Sequence, residues 1–293
     1  MPRLPLMCAL LLTATLSAGA AEPGANGAPV TFTAGIEFAN PDNQHLQLDL
    51  AMPGEGTGPF PTILCIHGGG FRAGTRDGYD GLCKTLAGHG YVAATITYRL
   101  APAYPFPAAV LDCKAAVRWL RANAAKYHVD PARIGVTGGS AGGHLAQFLG
   151  VTAGVHEFEG EGNPEQSSTV ACVVNFYGPC DFTRVYGKSV DAAQVLPLFF
   201  GGDLESKRAE HIRGSPLYWV TPDAAPTLIV HGTDDKYVPY EQAGFLVERL
   251  AGCGVEAQLV TLAGAGHGFK GADAETAQKA LLAFFDAHLH PGK

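Results

Sequence analysis

Residues 133–146 read RIGVTGGSAGGHLA. The stretch begins as a short apolar run with β-branched residues, breaks into glycines around Ser140, and resumes with residues that favour a helix. That order predicts a strand, a sharp turn and a helix, with Ser140 on the turn. Gly138 and Gly142 flank the serine at two residues on either side. In a strand-to-helix turn this tight, side chains at those positions would clash, and the serine hydroxyl is lifted above the sheet edge.

The same alternation extends outward. TILCIHG (62–68), YVAATITY (91–98), VACVVNFYG (170–178), TLIVHGT (227–233) and AQLVTLAG (257–264) are short continuous apolar runs rich in β-branched residues. Such runs suit parallel strands buried on both faces. Helical patterns lie between them, at 78–90, 107–127, 140–154, 240–254 and 273–289. The 107–127 pattern is the clearest, with Pro107 near its start and apolar residues at spacings of three and four. Ahead of these, VTFTAGIEFA (30–39) and HLQLDLAM (45–52) flank the turn-forming NPDNQ, which predicts an antiparallel hairpin at a sheet edge. The expected class is α/β: a mostly parallel central sheet of about eight strands with helices on both faces. Residues 21–293 read as one domain. Residues 181–225 are long for a strand-to-strand connection and carry the apolar VLPLFFGG, which suggests an active-site wall or lid.

Composition narrows the function classes. The chain has 293 residues, 47% hydrophobic and 16% charged, enough for a sizeable core. The net charge is −7 and no Lys/Arg cluster occurs, which argues against a nucleic-acid partner. At the N-terminus, Arg3 precedes an apolar run to Leu16 and then Ala18-Gly19-Ala20. This is the pattern of a secretory signal peptide over residues 1–20, cleaved after Ala20, and the run is too short for a stable membrane anchor. Cys65, Cys83, Cys113, Cys172, Cys180 and Cys253 follow the leader. An even count in an exported protein permits disulfides, although Cys65 and Cys172 fall inside apolar strands where a thiol packs as a small hydrophobe. Neither C-x-x-C nor zinc-like Cys/His spacing occurs, so no metal is expected.

A serine hydroxyl needs a base to become a nucleophile, and the base needs an orienting carboxylate. His267 follows the last strand between two glycines, at the end of the sheet where α/β proteins place their sites. Asp234 and Asp235 follow the strand before it. At the end of the first parallel strand, His67 is followed by Gly68, Gly69 and Gly70. Glycines there let the backbone approach a substrate and present N–H groups to a developing negative charge. Gly68, Gly70 and Ala73 also fit the spacing of a dinucleotide fingerprint. No helical pattern opens after it, however, and Arg99 stands where an acid would bind a ribose, so a nucleotide cofactor is not expected.

At these residues the chain resembles the α/β-hydrolase superfamily. The order Ser140, Asp235, His267 and the sequence HGGG at 67–70 are similar to those of its esterases and lipases. The resemblance implies Ser140 as nucleophile, His267 as base and Asp235, in an H-G-x-x-D pattern, as the acid. It also implies an oxyanion hole of Gly69, Gly70 and Ala141, and no cofactor. HGGGF, YRLAPAYPFPAAVLDCKAAVRWL and GGSAGGHLA resemble hormone-sensitive-lipase-type carboxylesterases. That group usually has G-D-S-A-G and D-P-x-x-D, where this chain has Gly139 and His231-Gly232-Thr233-Asp234-Asp235. There is also no room for the group's helical N-terminal cap between Ala21 and the first strand. These departures, with EGNPEQSSTVACVVNFYGPCDF and GSPLYWV, resemble exported esterases of plant polysaccharides, including acetyl-xylan and feruloyl esterases. The expected substrate is therefore a short-chain or carbohydrate-linked ester, with Phe71, Tyr177, Val238 and Phe269 as pocket residues. A long-chain lipase with VLPLFF as its lid, and a non-catalytic binding protein, are the alternatives.

Overall fold

The computed structural model describes residues 22–23 and 28–290, so the expected leader at 1–20 lies outside the described residues. One nine-stranded sheet runs through it in the order β1-β2-β3-β5-β4-β6-β7-β8-β9. The strands are β1 (Glu22–Pro23), β2 (Pro29–Ala39), β3 (Leu46–Pro53), β4 (Phe60–Ile66), β5 (Val92–Ile96), β6 (Val129–Gly139), β7 (Cys172–Phe176), β8 (Thr227–Gly232) and β9 (Ala257–Leu262). β2 and β3 form the expected hairpin, and β3 pairs antiparallel with β5. From β5 to β9 every pairing is parallel. The two-residue β1 is an addition to the eight strands legible in the sequence.

The parallel strands are continuously apolar because both faces are covered. Ile63, Cys65 and Val174 face α1 (Asp80–Gly88) and α7 (Ala272–Leu289), packing with Leu86, Leu281 and Phe285. Leu64, Ile66 and Val136 face the opposite way, toward α2 (Ala108–Ala122) and α3 (Ala141–Val151). α6 (Glu241–Gly252) covers the β8 end of that second face through Leu246 and Leu250, beside Ile229. Side chains alternate across a strand, so a run apolar at every position must be buried twice. The helix expected over 107–127 stops at Ala122, where the Asn123 side chain turns back to donate to the Trp119 carbonyl.

The 181–225 connection contains α4 (Ala192–Phe200) and α5 (Arg208–Arg213). Its apolar segment belongs to the core: Phe199 stacks on Phe71 with ring centroids 3.8 Å apart, and Phe200 is buried beside it. All six cysteines among the described residues are free, five of them buried, so they act here as packing residues. No helix among the described residues is long and apolar enough to cross a membrane.

Candidate active site

β4, β6, β8 and β9 end along one edge of the sheet, and the loops leaving them converge there. β6 ends at Gly139, and Ser140 takes φ 57° and ψ −121°, far from the regions a serine prefers. The close approach that forces this turn is visible at Gly142: a Cβ there would lie 2.0 Å from the Ile66 carbonyl oxygen. The Ser140 amide is held by the Phe176 carbonyl at 2.9 Å. Phe71 (φ 59°) and Tyr177 (φ 42°) are also left-handed and also line the cavity beside Ser140. Strained backbone concentrated around one side chain is typical of a functional site.

Ser140 Oγ lies 2.9 Å from His267 Nε2, and His267 Nδ1 lies 2.7 Å from Asp235 Oδ2. The carboxylate accepts, so Nδ1 carries the proton and Nε2 is free to accept from the serine hydroxyl. Burial pushes the Asp235 carboxyl up. Hydrogen bonds from His231 and His267, and from the Val238 amide, outweigh it and hold the group well below the usual carboxylate range. Its Oδ1 accepts from the Tyr237 and Val238 amides, both at 2.9 Å. Asp234 is exposed and its backbone serves the turn. His231, with no role expected from the sequence, reaches Asp235 Oδ2 at 3.4 Å and donates from Nε2 to the Val238 carbonyl at 2.9 Å. It pins the acid loop to β8.

The glycine loop after β4 is shaped from below. His67 is stacked on Tyr98 at 4.3 Å, and its Nδ1 donates to the Gly68 carbonyl at 2.8 Å. Burial lowers the affinity of His67 for a proton, which keeps it neutral. Gly69 has φ +115°, and a Cβ on it would sit 2.1 Å from the Ala73 carbonyl oxygen. The amides of Gly69, Gly70 and Ala141 donate to no acceptor among the described residues, and all three residues line the cavity with Ser140. Ala141 also opens α3, so the positive end of that helix points the same way.

The cavity has a volume of about 500 Å³. Phe71, Tyr177 and Val238 line it; Phe269 does not. Phe269 packs instead behind Tyr177 at 5.0 Å and against Phe176 at 6.3 Å, because the chain after His267 turns back toward the sheet. Tyr237, two residues beyond Asp235, lines the cavity with its ring 5.1 Å from that of His267. Its position beside the acid was a usable sequence signal. Tyr79, also in the wall, carried none.

A mostly parallel sheet covered on both faces, with a strained serine at the end of β6 and an Asp–His pair on the loops after β8 and β9, defines an α/β-hydrolase. Within that class the chain belongs to the BD-FAE family, which it matches over residues 48–250. It is 38% identical over 222 residues to Esterase LipC of Mycobacterium tuberculosis, an alignment covering 73% of this chain and 54% of LipC. It is 30% identical over 233 residues to Ethyl acetate hydrolase of Pseudomonas putida, covering 77% of this chain and 71% of that protein. Among solved structures, a truncated form of a carbohydrate esterase from gut microbiota superposes with a TM-score of 0.82 at 28% identity, covering 94% of this chain and all of that one. The chain spans about half the length of LipC.

Proposed function

We propose that the protein is a serine carboxylic ester hydrolase acting on short-chain or carbohydrate-linked esters. The observation that carries this reading is the unbroken series Ser140 Oγ, His267 Nε2, His267 Nδ1, Asp235 Oδ2, at 2.9 and 2.7 Å, opposite three unused backbone amides. Ser140 attacks the ester carbonyl and its proton passes to His267 Nε2. Asp235 keeps the imidazole in the required tautomer and stabilises it once charged. The Gly69, Gly70 and Ala141 amides receive the oxyanion, each such donor being worth about 3–4 kcal/mol in the transition state. His267 then gives its proton to the leaving alcohol. It next takes one from water, which attacks the acyl-enzyme, and finally returns a proton to Ser140.

The names of the relatives support ester hydrolysis, and those of the gut carbohydrate esterase and the ethyl acetate hydrolase support the substrate range. The reading also takes residues 1–20 as an export signal, which suits action on polymers outside the cell. Replacing Ser140 with Ala should lower kcat on 4-nitrophenyl acetate by about 10⁵–10⁶-fold and abolish labelling by a fluorophosphonate. Activity retained by the Ser140→Ala variant would overturn the assignment. An unlabelled wild type would favour a binding protein.

A further inference from the structure

The walls of the cavity differ in chemistry. On the side of the glycine loop they are Phe71, Phe182, Val185, Val195 and Leu196. Val195 is close to the oxyanion loop itself, 3.3 Å from where a Cβ on Gly70 would lie. On the other side stand three tyrosines. The rings of Tyr177 and Tyr237 lie 4.7 and 5.1 Å from that of His267. The hydroxyls of Tyr177 and Tyr79 each lie 3.0 Å from the position of a Cβ on Gly139, so both converge on one spot next to the nucleophile. The two phenols occupy the space that a side chain at residue 139 would enter.

Neither hydroxyl bonds another side chain among the described residues, and both face the cavity. The Gly139 amide donates to the Tyr79 oxygen, so what each phenol still offers is its O–H, and a half-buried donor left without an acceptor is costly unless a ligand satisfies it. Burial pushes both phenols up, so each stays a neutral donor. The side of the ester they meet follows from the reaction. His267 must deliver its proton to the leaving oxygen, so the alcohol lies against His267 and the tyrosines that flank it. The acyl group then faces the apolar wall.

We propose that Tyr79 and Tyr177 hydrogen-bond a free hydroxyl beside the esterified one on the leaving alcohol, with Tyr237 offering its ring face. The site thereby selects esters of polyhydroxyl alcohols, sugars foremost, over esters of simple alkanols. The inference rests on the hydrolase reading and assigns its alcohol subsite. A site built to bond a substrate hydroxyl discriminates strongly against analogues lacking it, because its own polar groups are then left unpaired.

The test compares wild type, Tyr79→Phe and Tyr177→Phe on a xylose monoacetate and on ethyl acetate, with fluorophosphonate labelling in parallel. Each substitution removes only an oxygen. Wild type should favour the sugar ester in kcat/KM. Each variant should lose about tenfold more on the sugar ester than on ethyl acetate, chiefly through KM. Equal losses on both substrates would make the tyrosines structural and overturn the proposal. No loss on either, or a wild type indifferent to the sugar, would also overturn it. In those cases intact labelling and ethyl acetate hydrolysis would leave the hydrolase reading standing, whereas a wild type neither labelled nor active would remove both.

Discussion

Gly69 and Gly70 are neighbours with the same freedom but different tolerance. At Gly69 a methyl group would meet the Ala73 carbonyl at 2.1 Å, so substitution there breaks the loop itself. At Gly70 the nearest atom would be the Val195 Cγ1 at 3.3 Å, and the obstacle is mainly φ +60°. Gly70→Ala should therefore cost about 1–2 kcal/mol of stability, the ordinary cost of a left-handed alanine. A shift of its amide by a fraction of an ångström should lower kcat on 4-nitrophenyl acetate by tenfold or more. Urea denaturation and initial rates on one preparation separate the two effects; a large stability loss with unchanged kcat would reduce the residue to a turn former. Ser140, His267 and Asp235 were legible because each stands in a short local pattern at a strand end. Tyr177 was legible as a pocket residue, but its pairing with Tyr79 was not. Their hydroxyls meet over Gly139 only because β6 and β7 are adjacent and the loop after β4 returns across them. Phe269 misled for the complementary reason: adjacency to His267 in sequence says nothing about which way the next side chain turns.

At the scale of elements, strands and most helices were readable because periodicity reports burial, and burial is what the sheet imposes on both faces. The 181–225 connection was not, because VLPLFF has the apolarity of either a lid or a core helix and only its partners decide. In α4, Phe199 stacks on Phe71 and also meets Phe106, Phe182 and Phe200 within 4.8–6.3 Å. The helix is thus a cavity wall fixed by the aromatic cluster behind it, and Phe71 takes its position from Phe199. Phe199→Ala should cost about 3–5 kcal/mol through the void it leaves. It should also loosen Phe71 and raise the butyrate-to-acetate ratio of 4-nitrophenyl ester hydrolysis. Measuring the unfolding midpoint and the chain-length profile together checks the coupling; a destabilised variant with an unaltered profile would show that α4 supports the fold without shaping the acyl side.

For the molecule as a whole, the response to acid follows from histidines buried without charge. His144, on the helix that begins at the nucleophile, is fully buried among Phe71, Phe148, Phe182 and Phe199. Its Nδ1 donates to the Pro179 carbonyl at 3.1 Å, and its Nε2 has no partner. Burial pushes it down to about 3 from 6.5. Above pH 6.5 the ring is neutral in both folded and unfolded chains and contributes no pH dependence. Between pH 6.5 and 3 the unfolded chain takes up a proton that the native state refuses. Stability therefore falls as pH falls, by at most about 1.4 kcal/mol per pH unit from this residue. His67 and His211, also lowered by burial, act in the same direction. Asp80 opposes them: burial and the neighbouring Asp49 raise it to about 6, so it favours the folded state as pH falls from 6 toward 3.8. Since these contributions overlap, the diagnostic quantity is a difference between variants. His144→Phe keeps a ring in the aromatic cluster and removes the titration. Between pH 7 and 5 the wild type should lose about 2 kcal/mol more unfolding free energy than this variant. Parallel urea-midpoint profiles would mean that His144 is reached by solvent and proton before the molecule unfolds.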